Sequence, residues 1–133
     1  MKYKDLLKLT IKITSPFGNR VHPVTKQPDR FHNGIDIATP IGTPIYAPDD
    51  GQVVWLRSDD KGGLMMRALL KNGYTLGFAH LNTFNTDLQL PGSKFAKGTI
   101  LAYTGNTGAS TGPHLHLTVR KGEELLDPQK VFN

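Results

Sequence analysis

Apolar and polar positions alternate along Leu7-Lys8-Leu9-Thr10-Ile11-Lys12-Ile13, the period of two that a strand with one buried face requires. This pattern predicts a strand at about residues 7–14. Between residues 15 and 51 the alternation gives way to Pro, Gly, Asn, Asp and Thr. Pro16, Pro23, Pro28, Pro40, Pro44 and Pro48 recur too often for a helix, so long loops carrying short strands are expected there. Apolar, β-compatible runs follow at 52–57, 64–70, 74–80, 99–104 and 114–120, separated by turns such as Lys61-Gly62-Gly63 and Lys71-Asn72-Gly73. Pro91 and Gly92 make 87–97 a connecting loop, and Asp127-Pro128-Gln129-Lys130 begins one helical turn. The pattern predicts an all-β, mainly antiparallel fold with long loops and little helix. A chain of 133 residues makes one domain, residues 1–133, with a basic strand or arm over 1–14 and a core over 15–130.

Composition changes this picture in two ways. The chain has no cysteine, which removes disulfides, thiolate metal sites and cysteine nucleophiles. Any metal must then be held by histidine, carboxylate or backbone oxygen. The formal charge is +5, and all of the excess lies in the first thirty residues, where Lys2, Lys4, Lys8, Lys12, Arg20, Lys26 and Arg30 face only Asp5 and Asp29. Such an arm suits an anionic polymer, and a solvated basic face with no partner explains it equally well. Lys8 and Lys12 interrupt what would be the apolar stretch of a signal peptide, so no export signal is read. No run approaches the roughly 20 apolar residues of a membrane-spanning helix.

The histidines carry the candidate chemistry. In His114-Leu115-His116-Leu117-Thr118-Val119 the leucines and valine share one face of a strand, and His114, His116 and Thr118 the other. The two imidazoles then stand roughly 7 Å apart along the strand. His32-Asn33-Gly34-Ile35-Asp36 offers an imidazole and a carboxylate around a glycine turn. Two nitrogens and one oxygen suit Zn²⁺ with a fourth position open to water. His80 ends the alternating stretch 74–79 and is expected on the same sheet face. Spacing alone leaves open whether His114 or His116 is the ligand. His22, before Pro23 in the long loop, is read as a solvent-facing or locally hydrogen-bonded residue. The glycine-rich segment 105–112 lacks the Gly-Lys-Ser/Thr ending of a phosphate loop and leads into a strand, so it is read as a turn delivering His114 and His116.

Several of these stretches occur together in one known context. Ser15-Pro16-Phe17-Gly18-Asn19-Arg20, His22-Pro23, Phe31-His32-Asn33-Gly34-Ile35-Asp36, Ala47-Pro48-Asp49-Asp50-Gly51-Gln52-Val53, His80-Leu81 and Gly105-Asn106-Thr107-Gly108-Ala109-Ser110-Thr111-Gly112-Pro113-His114-Leu115-His116 resemble the lysostaphin-type zinc peptidases, the M23 or LytM-like endopeptidases of bacterial cell walls. The resemblance runs from about residue 15 to 130. It implies a duplicated-hybrid-motif-like β fold, one Zn²⁺ per chain held by His32, Asp36 and His116, and His80 and His114 as the catalytic pair. Zinc lowers the pKa of water toward about 7 and polarises a scissile carbonyl. Two imidazoles can share the work of base, acid and oxyanion donor. The chain departs from the pattern of some members at two positions: Phe31 precedes His32 where they carry Tyr, and Phe78 precedes Ala79-His80-Leu81 where Tyr is expected. Arg20 and Arg30 are left outside the site, as solvated loop residues.

The resemblance therefore implies a zinc endopeptidase cutting the stem or cross-bridge peptides of peptidoglycan, a bacteriolytic enzyme acting outside the cytoplasm. Without an export signal in this chain, a phage-type lysin, a virion component or the excised domain of a secreted protein is expected. The alternative is a silent module that binds the wall or activates a partner hydrolase. Degenerate members usually lack one of the five residues, and none is missing here. A lipoyl-like carrier is excluded because no modifiable Met-Lys-Met or Asp-Lys-Ala site is present. Nucleic-acid binding lacks a groove helix and a stacking platform. The expected partners are thus the peptidoglycan peptide and, through the basic N-terminal region, anionic wall polymers, with the chain itself a monomer.

Overall fold

The computed structural model describes residues 1–21 and 28–133, the side chains of residues 20, 21 and 28–30 excepted. In chain order the elements are α1 (Tyr3–Leu6), β1 (Ile13–Ser15), β2 (Gly18–Val21), β3 (Pro28–His32), β4 (Ile35–Ala38), β5 (Pro44–Tyr46), β6 (Gly51–Asp59), β7 (Gly63–Leu70), β8 (Tyr74–Phe84), β9 (Lys94–Phe95), β10 (Ile100–Thr104), β11 (His114–Lys121), β12 (Glu124–Leu126) and α2 (Pro128–Val131). β6, β7, β8, β10 and β11 lie where the apolar runs predict them, within a few residues at their ends, whereas β9 forms inside the 87–97 stretch expected to be a connecting loop, where Lys94 and Phe95 pair with Gln52 and Gly51, and β12 lies beyond the predicted runs as a short partner of β11. Gly73, at φ 93°, supplies the left-handed turn between β7 and β8 that a side chain would oppose. The final helical turn forms because Asp127 accepts the Gln129 N–H at 3.0 Å and Pro128 fills the first helical position.

One sheet dominates, in the order β1-β4-β11-β8-β7-β6-β9, every pairing antiparallel. β8 is shared along its length: its first half pairs with β11 and its second half with β10, which in turn pairs with β5. β12 extends β11, and β2 with β3 forms a separate ribbon. The architecture is thus the antiparallel all-β fold that the sequence predicts. Leu115, Leu117 and Val119 of β11 are fully buried, with Leu76, Phe78 and Leu81 of β8 beside them. The core lies under one face of the sheet, and His114 and His116 stand on the other.

The strand predicted over 7–14 is corrected. Only Ile13 and Ser15 pair with β4, opposite Ile37 and Asp36, while residues 3–6 form a helical turn. Burial does alternate over 7–13, but after the helical turn the chain bends at Lys8-Leu9 and, among the described residues, has no strand to pair with before Ile13, so the alternation reflects packing on the core without a ladder. Tyr3 stacks on Phe132 with ring centroids 5.2 Å apart, and the Tyr3 and Asn133 amides donate to Asn133 and Met1 carbonyls. The N-terminal segment is therefore packed onto the C-terminal turn, with Lys2, Lys4, Lys8 and Lys12 left exposed.

Candidate metal centre

Asp36 enters through β4 and His116 through β11, and the register sets them directly opposite each other. His114, two residues earlier, lies opposite Ala38. Register, which spacing within one strand cannot supply, is what separates the two histidines. His32 is brought in at the end of β3, four residues before Asp36. The close approach depends on Gly34, where a Cβ would meet the Leu117 carbonyl oxygen at 2.1 Å.

Three atoms converge. His116 Nδ1 lies 2.9 Å from Asp36 Oδ1, His32 Nε2 lies 3.4 Å from the same oxygen, and the two nitrogens are 3.2 Å apart. Far nitrogens on both rings are committed elsewhere: His32 Nδ1 donates to the Pro16 carbonyl at 2.9 Å, and His116 Nε2 donates to Asn33 Oδ1 at 2.8 Å. With the far nitrogens anchored, His32 Nε2 and His116 Nδ1 face Asp36, hydrogen-bonding to it when protonated and free to offer their lone pairs when a cation takes the place of those protons. A tetrahedral ion with bonds of about 2.0–2.1 Å has ligand-to-ligand edges of about 3.3 Å. The triangle of 2.9, 3.2 and 3.4 Å fits that figure, and the side chains are only 11%, 16% and 21% exposed. Burial alone would raise the Asp36 pKa, but hydrogen bonds and charge from His116 and His32 hold it well below the usual carboxylate range. The donor set therefore suits a divalent cation of zinc type.

The other two histidines flank this triangle. His114 Nε2 is 3.6 Å from Asp36 Oδ1, and the His80 and His114 rings are 4.7 Å apart. Their Nδ1 atoms donate to backbone carbonyls, His80 to Thr107 at 2.7 Å and His114 to Gly112 at 2.8 Å. Each ring is left with Nε2 as its proton-accepting atom. Burial pushes the His80 imidazole below its ordinary pKa, against the Thr107 carbonyl, and His114 and His116 add to the lowering.

The route by which His80 arrives differs from the predicted one. Its neighbours Ala79, Gly77 and Thr75 pair with His116, Thr118 and Arg120 and so share the site face. Strict alternation would point His80 the other way, into the core with Phe78 and Leu76. An extra residue on β8 prevents this: Leu64 and Met66 of β7 pair with Leu81 and Phe78, three positions apart. His80 takes φ 59°, the one positive value among described non-glycine residues, and its N–H bonds to Gly62 at 2.7 Å. This β-bulge turns the ring back to the site face. Phe78, expected to be Tyr, is buried on the core face.

The five predicted residues thus meet at one place. Sequence reasoning missed Asn33, although it stands inside the quoted His32-Asn33-Gly34-Ile35-Asp36 run, and the carbonyls of Pro16, Thr107 and Gly112, which leave no side-chain signal. His22 lies outside the described residues, as do the side chains of Arg20 and Arg30.

The model of Peptidase family M23 matches residues 30–128. The DD-carboxypeptidase/endopeptidase Mpg of Neisseria meningitidis is 38% identical over 122 residues, 90% of this chain and 27% of its own. This chain therefore spans about a quarter of that curated relative's length. A zinc-containing peptidase from Vibrio cholerae has a TM-score of 0.73 at 37% identity, covering 87% of this chain and 35% of its own. The catalytic domain of the antimicrobial peptidase lysostaphin from Staphylococcus simulans has a TM-score of 0.74 at 25% identity, covering 91% of each chain.

Proposed function

The chain belongs to peptidase family M23, and from that premise we propose that it is a zinc-dependent endopeptidase hydrolysing peptide bonds of bacterial peptidoglycan. The observation that carries this reading is the convergence of His32 Nε2, Asp36 Oδ1 and His116 Nδ1 with two further imidazoles beside them. Those three atoms would hold the ion, which supplies Lewis acidity to a water and to the scissile carbonyl. His80, held neutral by burial, accepts the proton of the attacking water at Nε2 or, once protonated, returns it to the leaving amine. His114, with Nε2 aimed at the same space and Nδ1–H held by Gly112, donates to the developing oxyanion once Nε2 has itself taken a proton. The absence of tyrosine at Phe31 and Phe78 leaves these two imidazoles as the side-chain donors for that charge.

In this reading residues 15–130 are the catalytic unit, working as a monomer, since all five residues come from one chain. The enzyme acts on the wall outside the cytoplasm as a lytic, lysin-type hydrolase. The exposed lysines at 2, 4, 8 and 12 add attraction for anionic wall polymers. The test is digestion of purified peptidoglycan of several wall types, with mass spectrometry of products, with chelator and after zinc restoration. A defined peptide fragment released only with zinc is the expected result. Chelator-insensitive release, or no release from any wall by the zinc-loaded protein, would overturn it, the latter in favour of a non-cleaving wall-binding module.

A further inference from the structure

On the same face of the sheet, an open groove of about 130 Å³ runs away from His116. Its floor is bare, because Gly77 and Ala79 of β8 carry little or no side chain. One cross-strand row bounds it: Trp55 pairs with Arg67, Arg67 with Gly77, and Gly77 with Thr118. Arg120 stands two residues further along β11. The Arg57 and Arg67 guanidiniums lie 4.4 and 4.9 Å from the Trp55 ring centroid.

These cations have no acid to balance them. No Asp or Glu lines the groove, and among the described residues the only side-chain ion pairs are those of Asp36 with histidines. Arg67 Nε is shielded from solvent with no hydrogen-bond partner. Burial pushes the Arg67 pKa down, and the neighbouring Arg120 and Arg57 charges add to it. A buried donor without an acceptor, beside like charges, is costly unless an anion completes it. The planar guanidinium fork matches a carboxylate.

We propose that Arg67, on the Trp55 platform, and Arg120, lining the same groove, hold a carboxylate of the substrate peptide three to four residues from the scissile bond. The row crosses β11 at Thr118, about 7 Å from His116; Arg67 lies two strands further across, at about 4.8 Å each, and Arg120 four residues along β11, about 13 Å, so either arginine stands three to four residues of extended peptide from the metal centre. The proposal rests on the endopeptidase reading and narrows it: the substrate is an acid-bearing stem peptide, and an uncharged glycine bridge is excluded from this subsite. The carboxylate comes either from a terminal D-amino acid or from an acidic side chain of the stem.

The single tryptophan reports occupancy directly. Trp55 fluorescence and calorimetry on the full chain would follow binding of a free-acid stem tetrapeptide. Comparison ligands are its C-terminally amidated form, its side-chain-amidated form, a glycine pentapeptide amide and inorganic phosphate. The free acid should bind at least about 10-fold tighter than one of the two amides, which identifies the carboxylate. Arg67→Gln and Arg120→Gln should each lose about 10- to 100-fold for the acid and nothing for that amide. Arg120 is half-exposed, so its variant serves if the Arg67 change prevents folding. Equal binding of acid and amides, equal losses for both in the variants, or tighter binding of phosphate would overturn the proposal. Wall digestion measured in parallel keeps the two claims apart. Preference for the acid with no cleavage sinks the enzymatic reading and sustains the subsite, while cleavage without discrimination does the reverse.

Discussion

Replacing Gly34 by alanine is expected to damage the metal centre through the backbone alone. The added methyl would lie 2.1 Å from the Leu117 oxygen, 2.9 Å from the Leu117 carbonyl carbon and 3.1 Å from Thr118 Cγ2. Two of those atoms are main chain of β11, which no rotamer change can move. The register Ile35 to Leu117 ties both strands together at that point. The strands must separate by about 1 Å or more to restore van der Waals contact. Overpacking of this kind costs about 1–3 kcal/mol. At this length the unfolding entropy is about 0.28 kcal/mol per degree, so Tm should fall by about 4–11 °C. The same displacement separates His32 and Asp36 from His116, stretching edges of 2.9–3.4 Å beyond tetrahedral reach. Zinc affinity should fall at least about 10-fold. The control is Gly112→Ala, where a Cβ meets nothing within 4 Å and the change should stay within about 0.5 kcal/mol. Thermal melts and competitive zinc titration of both variants decide the matter. A Gly34→Ala protein that melts with the control and binds zinc like the parent would refute the reasoning.

Three other outcomes are expected. His116→Ala should lose stoichiometric zinc, whereas His114→Ala should keep it and hydrolyse peptidoglycan about 100-fold or more slowly. Metal analysis with wall digestion checks the pair, and zinc loss in the His114 variant would reject the assignment. In zinc-free protein the His80 ring should titrate below its ordinary value of 6.5. As pH falls the unfolded chain then takes the proton first, so this group withdraws stability between 6.5 and its folded midpoint and not above. An NMR midpoint at or above 6.5 contradicts this. Replacing Lys2, Lys4, Lys8 and Lys12 by glutamine should weaken adsorption to walls chiefly at low salt and leave hydrolysis of a short soluble peptide unchanged; adsorption equal to the parent's at low salt counts against an electrostatic arm.

Local pattern made the central strands legible, because each apolar run is bounded by glycine turns and buries one face. The same pattern at 7–14 misled, since it records burial without recording pairing: Leu9, Ile11 and Ile13 do pack against the core, yet only Ile13 and Ser15 pair with a neighbouring strand. The five site residues were legible as residue types in characteristic contexts. Their geometry was not. The difference between His114 and His116 is set by which one meets Asp36 across the sheet, a long-range register. His80 reaches the site through a bulge and a positive φ that alternation argues against, in a residue that is not glycine. Supporting carbonyls of Pro16, Thr107 and Gly112 act through main chain, where the side chain carries no signal. The arginine groove was equally hidden, since Trp55, Arg67 and Arg120 sit on three different strands.

The pairing of β4 with β11 joins residues 80 positions apart, whereas β6, β7 and β8 are successive hairpins. A growing chain can therefore zip the hairpins soon after they emerge, while β4 has to wait for the last long strand to be made. Contacts so distant in sequence are the slow ones to close. Synthesis thus imposes an order of assembly in which Asp36 and His32 precede His116 and stay without it until β11 has been made. A nascent or truncated chain ending before β11 carries three of the five residues and no centre, which delays the chemistry of the fold until that strand has joined the sheet.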